Sequence, residues 1–148
     1  MGAAAPRRRF GRWLVIGTLV VLAAAQLVPV DRRNPEVRSD IDAPADVEAI
    51  LRRSCYDCHS NETRWPWYSQ VAPVSWLVAR DVAEGRSHLN FSEWPVADFE
   101  ARELELHEIE DEIVKGKMPL KIYLVMHRDA RLTEQDRSML AQWARAHY

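Results

Sequence analysis

Cys55-Tyr56-Asp57-Cys58-His59 uses both cysteines of the chain and follows them at once with an imidazole. A C-x-x-C-H run is the spacing at which a haem is attached covalently. Two thiols add to the porphyrin vinyl groups, and the adjacent histidine reaches the iron as its proximal ligand. The short separation brings both sulfurs and the ring onto one turn of chain, beneath one porphyrin face. Other chemistries of a close thiol pair find less support. A zinc site needs a second ligand pair of comparable spacing, which is absent. A dithiol-exchange motif belongs after a strand in a βαβ unit, whereas the residues before Cys55 show helical periodicity.

The candidate for the opposite face of the iron is Met118, in Gly116-Lys117-Met118-Pro119-Leu120. It lies 59 positions after His59, ample chain to pass from one porphyrin face to the other. A thioether is a soft ligand that raises the reduction potential of haem iron, and Pro119 restricts the backbone beside it. A methionine at such a place can also simply fill a gap in a core. Met126, Met139, His88, His107, His127 and His147 are the other groups able to ligate iron. Of these, His88 and His127 are the more plausible replacements.

Helical elements must hold these residues. Asp42 and Pro44 predict a helix start, and Val47, Ile50 and Leu51 form its apolar stripe up to Cys55. At the far end, Thr133 and Asp136 predict a capping box, followed by Met139, Leu140, Trp143 and Ala144 on one helical face. These two helices are expected to pack across each other. An acidic helix is expected over 98–114, with Leu106, Ile109 and Ile113 inward and Gly116 as its stop. Another is expected from Val74 to about Glu84, ending before Gly85. The Trp- and Pro-rich run from Trp65 to Trp76 is expected as a loop whose aromatic surface wraps a porphyrin edge.

The N-terminus differs in kind. Residues Trp13 to Val30 carry no charge, with Arg7, Arg8, Arg9 and Arg12 before them. The pattern predicts an anchor over residues 1–30, with its basic tip in the cytoplasm and a helix in contact with membrane lipid. A signal peptide cleaved near Ala23-Ala24-Ala25 is the rival reading. Either exports the rest: a charged tether over 31–41, then one domain over 42–148. The expected location is the bacterial inner membrane, single-pass, with that domain on the periplasmic side. Four arginines and no acid precede Asp31, so the formal net charge of −2 leaves −6 for the remainder. A domain so charged is not an obvious nucleic-acid binder. Asn61 and Asn90 head two N-x-S/T sequons, the first lying in the haem region just after the motif.

Two resemblances add to this reading. The order of helix, C-x-x-C-H, loop, inner helix, Met118-Pro119 and capped final helix resembles a class I cytochrome c. The stretch C-Y-D-C-H-S-N-E-T-R-W-P-W-Y-S-Q-V-A-P-V-S-W-L more closely resembles a family of small bacterial haem-binding domains, as do W-L-V-A-R-D-V-A-E-G-R-S-H-L-N-F-S-E-W and G-K-M-P-L-K-I-Y. The resemblance covers Ile41 to Tyr148. It implies an all-α, class I cytochrome c-like domain around a covalently attached haem c (iron protoporphyrin IX), behind an N-terminal transmembrane helix. It implies thioether links at Cys55 and Cys58 and iron ligation by His59 and Met118. It implies that Ser60-Asn61 and the Trp65–Trp76 segment line the attachment side. Arg86, His88, Asn90 and Trp94 belong to the same pattern, Arg86 as the candidate for a propionate contact. The expected function is electron transfer with a redox protein partner, by a carrier that is not an enzyme. A diatomic-ligand sensor or binding module, or a small peroxidase, is the alternative.

Overall fold

A computed structural model describes residues 6–147. Tyr148 and residues 1–5, the outer part of the expected basic tip, lie outside the described residues. The chain is helical, and no strand occurs among the described residues. Among the described residues seven α-helices follow in order: α1 (Pro6–Ala25), α2 (Ala45–Ser54), α3 (Tyr56–His59), α4 (Val74–His88), α5 (Phe99–Val114), α6 (Tyr123–Met126) and α7 (Glu134–Arg145). They group into two compact units. The smaller comprises the chain up to Arg32 with Trp65–Arg80, and the larger comprises Arg33–Arg64 with Asp81–Tyr148.

The larger unit is built on the periodicities expected of it. Val47, Ile50 and Leu51 of α2, Leu106, Ile109 and Ile113 of α5, and Leu140, Trp143 and Ala144 of α7 meet in one apolar core. Phe91 stacks on Tyr56 there, with ring centroids 4.9 Å apart, and Trp94 closes the cluster. Arg53 near the end of α2 pairs with Asp136 at the start of α7 at 3.0 Å. Arg137 of α7 donates to the Ile113 carbonyl at 2.9 Å, placing a cation on the open C-terminal end of α5. Asp98 caps α5 by accepting from the Ala101 N–H, and Gly116, at φ 66°, ends the segment in the left-handed region.

Several expectations are corrected. The cap of α2 falls on Pro44 rather than Asp42, and no side chain caps it. Asp46 and Glu48 supply the negative charge its first turn favours. Residues 33–41, expected as a tether, lie along the larger unit. Arg38 and Ser39 donate backbone N–H groups to the Ser92 carbonyl, and Ile41 is buried. Asp40 accepts a 2.5 Å hydrogen bond from the Tyr56 hydroxyl.

In the smaller unit, the expected transmembrane helix falls short. After Arg12 only Trp13–Ala25 remain in α1, roughly 20 Å at about 1.5 Å per residue, against a hydrocarbon core of about 30 Å. The chain turns after Ala25 instead of continuing to Pro29, and the Gln26 amide bonds to both the N–H and the carbonyl of Ala72. No helix among the described residues is long and apolar enough to cross a membrane. In the Trp- and Pro-rich run, Pro66 and Pro73 bracket a short 3₁₀ turn over Trp67–Gln70. Its buried residues are small: Ser69, Ala72 and Ser75. Trp67 is 74% exposed and Trp76 40% exposed, so these rings do not provide the aromatic burial expected of them.

The capping box at α7 forms in full: Thr133 Oγ1 accepts from the Asp136 N–H, and Asp136 Oδ2 accepts from the Thr133 N–H. Partial burial alone would raise the Asp136 carboxyl. The Thr133 N–H and hydroxyl and the Arg53 guanidinium outweigh it and hold the group below its ordinary range. A folded value below the unfolded one, about 3.9, stabilises the fold above that pH and is lost as pH falls through the folded value. Thr133→Ala should therefore cost about 1 kcal/mol near neutral pH. Asp136→Asn should destabilise at pH 7 and converge with the parent at acid pH, as read by denaturant unfolding across that range.

Candidate haem site

The motif residues sit on a turn suspended from α2. The Cys55 N–H still donates to Leu51, but φ −126° at Cys55 breaks the helix there. The Cys58 and His59 N–H groups then both donate to the Cys55 carbonyl, at 3.1 and 2.9 Å, which closes α3 as a single tight turn. The two cysteines stand as free thiols. Burial pushes Cys55 up to about 12, with Cys58 adding to it; burial pushes Cys58 up to about 11, with Asp57 and Asp81 adding to it. Dithiol-exchange proteins lower a cysteine pKa to expose a thiolate, so these shifts run against that use.

His59 is oriented by its outer nitrogen. Nδ1 lies 3.1 Å from the Leu89 carbonyl oxygen. A carbonyl can only accept, so Nδ1 carries the ring proton and Nε2 keeps its lone pair. Burial lowers the His59 pKa, opposed by the Leu89 and Gly85 carbonyls, which favours the neutral ring that metal ligation requires.

Cys55, Cys58, His59 and Met118 all line one cavity of about 660 Å³ in the larger unit. That volume lies in the range of cavities that hold cofactors. Leu51, Leu89, Phe91, Ile109, Ile113 and Leu120 supply apolar wall, while carboxylates from α4 and α5 lie among the lining residues. Ser54 also lines it, and its hydroxyl is buried without a partner in the protein. A paired thiol turn, an imidazole whose Nδ1 faces the Leu89 carbonyl, a thioether and a largely apolar wall form a donor set that fits haem. Among the described residues, no three His, Cys, Asp or Glu side chains converge to hold a bare metal ion.

The other candidate ligands separate by position. His88 lines the cavity; Met126 and Met139, His107, His127 and His147 do not. Met126 is exposed, Met139 packs against the core, and His127 stacks on Tyr123 at 4.1 Å.

A family model for the haem-binding domain matches residues 20–146. The chain belongs to the haem-binding domain family. No curated protein and no solved structure matches it.

Three features of this haem-binding domain escaped the sequence reading. The first is Gly85. Helix α4 does not end before it but runs on to His88. A Cβ at position 85 would stand 2.7 Å from the Cys58 carbonyl oxygen and 3.2 Å from the Cys58 Cβ. Glycine is there to let helix and attachment turn touch, not to stop the helix. The second is Arg86, which does not line the cavity. Its guanidinium donates to the Ser60 and Arg33 carbonyls, to Asn34 Oδ1 and to Thr63 Oγ1, clamping the chain that leaves His59. Asn61 belongs to the same clamp: 3% exposed, it donates to the Glu36 carbonyl and accepts from Asn90. Its sequon is thus a structural element rather than an accessible acceptor. Trp94 is core.

The third is Asp57, between the two cysteines. Its carboxylate receives the Arg64 backbone N–H and guanidinium, each at 3.1 Å, and the Tyr123 hydroxyl at 2.9 Å. Burial would raise this carboxyl, but those donors hold it below its ordinary range. The motif marks its x positions as free, so only the folded chain reveals the tie.

Gly85→Ala should cost about 1–3 kcal/mol, because the methyl meets backbone rather than a movable side-chain tip. Gly17→Ala in α1, where nothing lies within 4 Å, should be neutral or slightly stabilising. Parallel melts of the two variants check the contrast.

Proposed function

We propose that this haem-binding domain holds haem c through thioether bonds at Cys55 and Cys58, with His59 and Met118 as iron ligands, and serves as an electron carrier. The observation that carries the reading is the one cavity that all four residues line, with His59 Nδ1 facing the Leu89 carbonyl so that Nε2 keeps its lone pair. Haem iron, when bound, supplies a one-electron couple. The chain contributes two fixed ligands, and with both occupied no coordination position is left for substrate, which favours a carrier over an enzyme. The apolar wall limits water at the site, and thioether ligation favours the reduced state.

The proposed partner is a redox protein with a basic surface. Asp81, Glu84, Glu108, Asp111 and Glu112 among the lining residues support it, although Lys115 and Lys117 pair with the last two. We further propose that the domain works outside the cytoplasm, held near lipid by its N-terminal segment. The arginine cluster at the start of α1, ahead of the uncharged run from Trp13, and the exposed Leu14, Val15, Ile16, Leu19 and Val20 support lipid contact.

Protein produced with haem-maturation machinery should gain the mass of one haem, show a six-coordinate visible spectrum and titrate reversibly between ferric and ferrous states. Cys55→Ser with Cys58→Ser should lose the added mass, and His59→Ala should lose the ordered iron site. Met118→Ala should keep the mass but shift the potential downward. Colourless mature protein of unaltered mass would overturn the reading. Apoprotein should melt with markedly lower cooperativity than holoprotein by circular dichroism, since a ligand that binds only the folded state stabilises it.

A further inference from the structure

We infer that the Asp57–Tyr123 hydrogen bond is the latch that holds the Met118 segment against the attachment turn, and so sets how readily the sixth iron position opens to an outside ligand. This deepens the electron-carrier reading and rests on Met118 being the sixth ligand.

Asp57 and Tyr123 are 66 positions apart, yet the Tyr123 hydroxyl donates to Asp57 Oδ2 at 2.9 Å. Both residues line the same cavity as Met118, Pro119 and Leu120. On the Asp57 side the acceptor is immobile. It lies within the tight turn between Cys55 and Cys58, and Arg64 holds the carboxylate through three further donors. On the Tyr123 side the ring is fixed by near-parallel stacking on His127, with 9° between planes.

The segment has few other means of holding its place. Ahead of Met118 it is tied to the end of α5, where the Lys117 and Met118 N–H groups both approach the Glu112 carbonyl, at 3.0 and 3.4 Å. Behind it, α6 buries no residue, and Ile122, Val125 and Met126 all face solvent. Pro119 beside Met118 is buried, but beyond it apolar packing contributes little to the position of this stretch, and a hydrogen bond to a charged acceptor carries correspondingly more. Tyr123 is a positioning residue: it acts on Met118 through the backbone between them.

The latch predicts a gate. With Asp57 engaged, the sulfur stays over the iron and carbon monoxide must wait for the segment to lift. Losing a hydrogen bond to a charged group shifts such an equilibrium by about tenfold.

The test uses mature holoprotein in five forms: parent, Tyr123→Phe, Asp57→Ala, the double variant, and Met118→Ala as the fully open reference. Intact mass establishes that each retains haem. Carbon monoxide association with the ferrous protein and the reduction potential are then measured. Tyr123→Phe keeps the ring and its stack on His127 and removes only the hydroxyl. It should bind carbon monoxide about tenfold faster than the parent, with a lower potential, and so fall between parent and Met118→Ala. Asp57→Ala should do the same from the opposite side, and the double variant should match the singles rather than add to them, as one shared contact requires. A Tyr123→Phe rate and potential equal to the parent, while Met118→Ala differs, would overturn the latch alone. So would strict additivity in the double variant. A parent already as open as Met118→Ala would overturn Met118 ligation, and the latch with it. If one single variant yields no holoprotein, the other gives the same comparison.

Discussion

The contact of Gly85 with the Cys58 backbone carries more of this architecture than any other approach. Helix α4 can lie against the attachment turn only because position 85 has no side chain. Once it does, the carbonyls of its last turns become available to His59, and the chain just beyond presents Leu89. That carbonyl selects which nitrogen of the imidazole holds the proton, and hence which nitrogen is left to bind metal. A missing methyl group thus determines a tautomer. From the same turn of α4, Arg86 clamps the chain leaving His59 at Ser60 and Thr63 and ties Arg33 and Asn34 to it.

Around that contact lies a second layer of polar ties, each anchored in the motif or its immediate continuation. Tyr56 is held by Asp40, Asp57 by Arg64 and Tyr123, Ser60 by Arg86, and Asn61 by Asn90 and the Ser92 hydroxyl. The covalent spacing of the motif fixes which groups are near one another, but it cannot hold a short turn rigid. These ties do so, and they draw the segment 33–41, the chain after α4 and the Met118 loop onto one small stretch of backbone.

The parts legible in the sequence were those governed by local rules. The capping box at Thr133 and Asp136, the inward faces of α5 and α7, and the stop at Gly116 follow from helical period and cap chemistry, and the structure has all of them. Cys55, Cys58, His59 and Met118 all line one cavity, and the motif names three of these four. What could not be read depends on distant chain. Gly85 resembles a helix stop until Cys58 is seen beside it. Asp57 occupies a position the motif leaves open. Arg33 to Asp40 read as a linker because their partners, backbone carbonyls and single side chains, leave no periodic trace. The Trp-rich run misled for a related reason, since aromatic content signals burial only where the chain can turn the rings inward.

The raised thiol values bear on the order of events during biogenesis. In the finished fold burial raises both thiols and Gly85 of α4 lies against the Cys58 backbone, a poor state for forming bonds to a bulky planar molecule. On the proposed attachment, maturation enzymes would therefore meet the cysteines on a nascent, still open polypeptide. The helix carrying residue 85 would then close on the Cys58 backbone.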